Sequence, residues 1–131
     1  MPIVGYGLGP ALGFGVDAGL LLQNAQGGNA DSTNIADRGP LVGGGVVQIT
    51  SVVGATPTVT VNLQGSIDSV NWWNVPYALI ATPRTFVVSA ITITSAVVTP
   101  YLLQELVFWR YFKLVMSANT NVTLTSIFWS H

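Results

Sequence analysis

The chain contains no cysteine, so it can hold neither a disulfide framework nor a thiolate nucleophile nor a cysteine-based zinc site. Its one histidine, His131, is the last residue, and a rigid Ser–His pair with an orienting acid is not expected there. Charge is equally scarce. Asp, Glu, Lys and Arg make up 7% of the sequence against 50% hydrophobic residues, where a soluble domain carries roughly 25% charged residues to keep its surface in water. A surface this poor in charge is covered by protein partners, set in a membrane, or poorly soluble alone.

Long hydrophobic runs are missing too. A spanning helix needs roughly 18 or more apolar residues in succession. The least polar stretch, Met1 to Val16, is interrupted by Gly5, Gly7, Gly9, Gly13, Gly15, Pro2 and Pro10 and closed by Asp17. No membrane partner is expected, and the first residues lack the Lys or Arg of a signal peptide. The four basic residues, Arg38, Arg84, Arg110 and Lys113, are scattered, and the net charge is −1. Phosphate neutralisation needs clustered cations, so no nucleic-acid partner is expected.

Glycine, by contrast, is abundant and unevenly placed: 12 of the 14 glycines fall in the first 45 residues. Between them stand single apolar residues, among them Tyr6, Leu8, Leu12 and Phe14, then the triplet Leu20, Leu21, Leu22. Ordering glycine costs backbone entropy, so residues 1–45 read as an extended arm that is held from outside. Gln23 to Pro40 is polar and turn-rich, as in a surface loop. A disordered tail is the alternative, but the apolar side chains would then stand in water.

After Gly45 the pattern changes to period two. Val46 to Val53 begins a β run, Gly54-Ala55-Thr56-Pro57 turns, and Thr58, Thr60, Asn62 and Gln64 alternate with Val59, Val61 and Leu63, the mark of a half-buried strand. Thr85 to Ser95 reads as another β-branched strand. Arg110 to Ser117 and Val122 to Trp129 are joined by Ala118-Asn119-Thr120-Asn121, which predicts an antiparallel hairpin. No helical period of useful length occurs. The fold class is therefore all-β, a two-sheet antiparallel β-sandwich over residues 46–131 preceded by the Gly-rich arm of residues 1–45.

The most distinctive string is LQGSIDSVNWWNV, residues 63–75. A strand runs out, Ser66, Asp68 and Asn71 bond neighbouring backbone groups in a turn, and a tryptophan then enters the core. A second string, WRYFKLVM, residues 109–116, forms the penultimate strand, with Arg110, Phe112, Leu114 and Met116 on one face. Together they resemble the small β-sandwich structural proteins of tailed bacteriophages, including capsid decoration or cement proteins. They are also similar to discoidin-type jelly-roll modules, with Ser69 where those modules carry glycine after the turn aspartate. The first resemblance implies a jelly-roll-like sandwich whose arm laps onto neighbouring subunits.

Other chemistry is thinly supplied. Asp17, Asp31, Asp37, Asp68 and Glu105 are the only carboxylates in the side chains. Asp68 reads as a turn residue, Glu105 as a partner for a nearby base, and Asp31 with Asp37 offers too few oxygens for calcium. No enzymatic activity, cofactor or metal is expected. Asn121-Val122-Thr123 matches a glycan acceptor but reads as a turn. Of the adjacent pair Trp72 and Trp73, one must face outward on a strand, as an interface anchor, a sugar-stacking platform or a ring covered by the chain's own loops. Trp73 is taken as the interface residue.

The sequence thus points to a virion structural protein on the capsid exterior. Its expected partners are the major capsid protein and copies of itself, for example in a trimer. Its expected interface residues are Tyr6, Leu8, Leu12, Phe14, Leu20, Leu21, Leu22 and Trp73. A phage head-fibre or tail-associated module binding host glycans is the competing class.

Overall fold

The computed structural model describes residues 3–5, 19–39, 44–104 and 109–130. The described residues are all-β, with nine strands and no helix. They are β1 (Ile3–Gly5), β2 (Leu20–Gln26), β3 (Ile35–Asp37), β4 (Gly45–Ser66), β5 (Trp73–Asn74), β6 (Tyr77–Leu79), β7 (Ile91–Ile93), β8 (Val98–Leu103) and β9 (Tyr111–Ser130). All are hydrogen-bonded into one sheet, antiparallel throughout except for β1 beside β3. The expected pair of separate sheets is not what the hydrogen bonding shows.

The frame is a ribbon of the two long strands, β4 and β9, in register from Gly45↔Ser130 to Ser66↔Tyr111. Phe112 and Phe128 stand sixteen positions apart on β9, which at about 3.3 Å per residue would separate them by roughly 50 Å in a straight strand. Their rings stack at 5.2 Å. The ribbon must therefore fold back on itself, and the reversal lies where the register shifts, between Val53 and Thr60 on β4. Thr56, Ala118 and Asn121 all have positive φ there. Asn119 braces the bend: its amide donates to the carbonyls of Val122 and Gly28, and its Oδ1 accepts from the Val122 N–H. Asn121 donates across to the Ala55 carbonyl at 2.7 Å.

The turn expected at 118–121 is thus present, but it does not make a hairpin. The two halves of β9 each pair with β4 and then meet face to face through side chains. One layer contains Gly45–Val53 and Val122–Ser130, flanked by β2 on one side and by β8 and β6 on the other. The second contains Thr58–Ser66 and Tyr111–Ser117, flanked by β3 and β1 and by β5 and β7.

Alternation decides what lies between the layers. Val47, Ile49, Val59, Val61 and Leu63 of β4 and Phe112, Leu114, Met116, Leu124 and Phe128 of β9 are buried in one cluster. Leu20, Leu22 and Ala36 belong to the same cluster, so residues 20–26 and 35–37, expected as arm and loop, are strands of the block itself. The physical reason is the open edge of β9, where β2 and β3 find the backbone partners that the glycine content does not advertise. A register shift between Leu21 and Gln23 lets Leu22 and Gln23 both point inward.

At one end of the core, Trp109, Phe112 and Phe128 form an aromatic triad with centroids 5.2 to 5.8 Å apart. Two glycines of β4 make room for it: a Cβ on Gly45 would lie 2.7 Å from Phe128, and one on Gly65 would lie 2.7 Å from Val75 and 2.9 Å from Trp109. Phe128→Ala is expected to lower unfolding stability by about 3–5 kcal/mol, and Gly65→Ala by about 1–3 kcal/mol through overpacking. Denaturant titration of the purified variants measures both, and a wild-type midpoint for Phe128→Ala would contradict the folded-ribbon core.

Candidate interaction surface

The few ionisable groups are drawn largely into the structure. Arg38 is 1% exposed and lies over the Trp109 ring at 3.6 Å. Its Nε donates to the Trp109 carbonyl at 2.9 Å, and Nη1 reaches the Gly44 carbonyl at 3.4 Å. Burial pushes its pKa down to about 10, which leaves it cationic at neutral pH. Lys113, on the outer side of β9, is nearly covered because its ammonium bonds Asp31 at 2.8 Å and sits 4.3 Å from the Trp72 ring. Arg110 pairs with Asp37 at 2.9 Å. Glu105, the expected partner of a nearby base, lies outside the described residues, as do Asp17 and His131.

Of the seven described charged residues, only Asp68, Arg84 and Arg110 are exposed. Against them stand ten exposed large aliphatic residues. They fall into groups. Leu79, Ile80, Val87 and Val88 belong to β6 and the excursion that follows it, in which residues 79–85 and 87–90 are all exposed. This excursion overturns the expected strand from Thr85 to Ser95: only Ile91–Ile93 pairs with β4, and Val87 makes a single bridge to Tyr77. The excursion and β6 line a half-open pocket of about 170 Å³ between Tyr77, Leu79, Thr82 and Val87. Val52, Val97 and Val98 lie together beside the ribbon, and Ile67 and Val70 stand on the turn after β4.

That turn is held by Asp68. Its Oδ1 accepts the N–H groups of Val70 and Asn71 and the Ser66 hydroxyl, while Oδ2 accepts from the Asn71 amide. The Asn71 and Val70 N–H bonds hold its carboxyl well below the usual carboxylate range. Ser69 has φ +61°, a left-handed conformation that favours glycine. The turn therefore presents Ile67 and Val70, 56% and 75% exposed, on a rigid support.

The expected interface residues divide. Tyr6, Leu8, Leu12 and Phe14 lie outside the described residues. Leu20 and Leu22 are core residues, so they cannot serve as anchors on a neighbour, and Leu21 alone of the triplet faces outward. Trp73 is half-buried and packs against the core, so it is not the outward member of its pair. Trp72 takes that side, under Lys113. Sequence reasoning missed Ile80, Val87 and Val88, because a β-branched run signals a strand whether or not an edge is free to receive it. Among the described residues no three His, Asp or Glu side chains come together. Comparison with protein-family models, curated proteins and solved structures finds no match to this chain.

Two outcomes follow from the turn and the ion pair. The Arg110 hydrogen bond lowers the Asp37 pKa, and backbone N–H bonds lower that of Asp68. A depressed carboxyl pKa stabilises the fold above the unfolded value of about 3.9, and that stability is lost as pH falls through the folded value. Unfolding midpoints should be flat from pH 7 down to about 4 and then decline, with a shallower decline in Asp68→Asn. Ser69→Gly should leave stability unchanged or raise it, since relief of the left-handed strain outweighs or offsets the added freedom of the unfolded chain; thermal melts of the variant decide.

Proposed function

We propose that this chain is a virion structural protein, a decoration or cement subunit that binds the outside of a tailed-phage head and braces neighbouring shell subunits. The observation that carries the reading is the inverted surface: ten exposed large aliphatic side chains against three exposed charges among the described residues. Apolar area removed from water is worth roughly 25 cal/mol per Å², so covering ~400 Å² contributes on the order of 10 kcal/mol before association costs. A preformed strand and turn lose less conformational freedom on docking than a free arm does. The excursion after β6, with Ile80 and Val88 60% and 62% exposed, is the part of this surface best placed to enter a shell subunit.

The glycan-binding class finds less support. Sugar stacking needs an open ring face, and every described Trp, Tyr and Phe is buried or half-buried. Of the rings on the outer sides, Trp72 is occupied by the Lys113 ammonium and Tyr111 lies near the Arg110 guanidinium, which leaves the half-buried Trp129.

Particles prepared without the chain provide the test. Adding the wild-type protein should saturate a fixed number of sites and raise the temperature at which heads break. The double variant Ile80→Asp, Val88→Asp, checked for an unchanged circular dichroism spectrum, should bind ~tenfold or more weakly, because burying unpaired carboxylates is costly. Undiminished occupancy and protection by that variant would remove the excursion from the binding surface, and no binding by the wild type would overturn the reading.

A further inference from the structure

The two outer faces of the folded ribbon differ in kind. On the layer built from the second half of β4, Thr58, Thr60, Asn62 and Gln64 face outward, beside Lys113 and its Asp31 partner. That face is polar apart from Tyr111 and Val115 of β9. On the other layer the outward residues of β4 are Val46, Gln48, Thr50 and Val52, and their β9 partners are Trp129, Ile127, Thr125 and Thr123. The same rows continue into Leu102, Pro100 and Val98 of β8 and, beside Ile127, into Leu21 of β2. This four-strand face carries no charged residue, and Val52, Val98 and Leu21 are 66%, 60% and 43% exposed.

We propose that this face is a self-association surface, on which a second copy of the chain packs sheet against sheet. The proposal rests on the reading of the chain as a subunit covered by other protein, and it names one such partner. Three observations favour a second copy. A face that packs on its own copy sets each charge against a like charge near the two-fold axis, and this face has none to oppose. The outward side of Val46 to Val53 carries Val46 and Val52 beside Gln48 and Thr50, whereas that of Thr58 to Gln64 is polar throughout. The twelve residues of these rows, each covering about 4.8 by 6.6 Å, make roughly 400 Å² of face, so two copies bury roughly 800 Å², the size of a weak, reversible contact. An isologous contact of this kind joins copies in twos rather than threes.

The test uses Thr50, near the centre of the face, and Thr60, on the polar face, as control. Sedimentation of the isolated protein should show a pair for the wild type and for Thr60→Lys. Thr50→Lys, with an unchanged circular dichroism spectrum, should associate roughly tenfold or more weakly, and mixing it with Thr50→Glu should restore a mixed pair. A monomeric wild type would leave the face to residues 6–18 of the chain or to a different protein, and would overturn the proposal. So would pairing by Thr50→Lys equal to wild type, or loss of pairing in Thr60→Lys alone. Particle binding by a wild type that does not pair would sink this inference and leave the shell reading standing; pairing without particle binding would do the reverse.

Discussion

Phe112 and Phe128 belong to one strand, and the 5.2 Å between their rings is the contact that the other elements presuppose. A two-stranded ribbon left straight would expose one apolar face along its whole length and would be marginal in water. Folding it at the 54–58 and 117–121 bends lets that face cover itself. Every flanking strand then extends a layer that already exists: β2 and β3 on the β9 edge, β8 with β6, β7 and β5 on the β4 edge. The bend is locally unfavourable, with three non-glycine residues at positive φ, and is held by side-chain amides of Asn119 and Asn121 where backbone pairing lapses. Local strain at the corner is offset by burial along two layers.

The same closure explains where the charges went. Arg38, Lys113, Asp31 and Asp37 all fasten the 27–38 segment or the end of β3 to β9 and to Trp109. Beside Trp109 the Arg38 guanidinium lies over the ring while its N–H groups take up the Trp109 and Gly44 carbonyls. Carbonyls left bare there would cost about 1–3 kcal/mol each. With so few ionic groups in the chain, their use inside leaves the surface to valine, isoleucine and threonine.

Sequence pattern was informative wherever structure is local. The Thr58–Gln64 alternation is a strand with the expected inward face, and the Ser66–Asn71 turn forms through the side chains expected of it. It was uninformative wherever the partner is distant. Nothing in Leu20-Leu21-Leu22 says that β9 lies 100 residues on with a free edge, so a glycine-rich surround made the triplet look like an arm. The Ala118–Asn121 turn signals a reversal, but the same residues serve a hairpin and a fold-over; only β4, occupying the edge of both halves, decides. Trp72 and Trp73 alternate as a strand requires, yet which one is inward depends on β5 pairing at Gly65, and Arg38 gives no sign in sequence of its burial.

A folded ribbon makes both outer faces from the same two strands, so any difference between them must be written along each strand rather than between strands. β4 carries that difference: Val46, Gln48, Thr50 and Val52 outward before the bend, threonines and amides alone after it. Burial on one side of the sheet explains neither choice, since both halves satisfy the core equally. If water met both faces, the first half would gain by the Thr-rich pattern of the second, because outward valines exposed to solvent contribute nothing to folding and invite aggregation. The asymmetry is accounted for when one layer is covered and the other is wet. The excursion after β6 leaves the edge of the first layer rather than its middle. On the proposed reading the flat face would meet a second copy and the apolar excursion a shell subunit, so the two contacts would use separate parts of one surface.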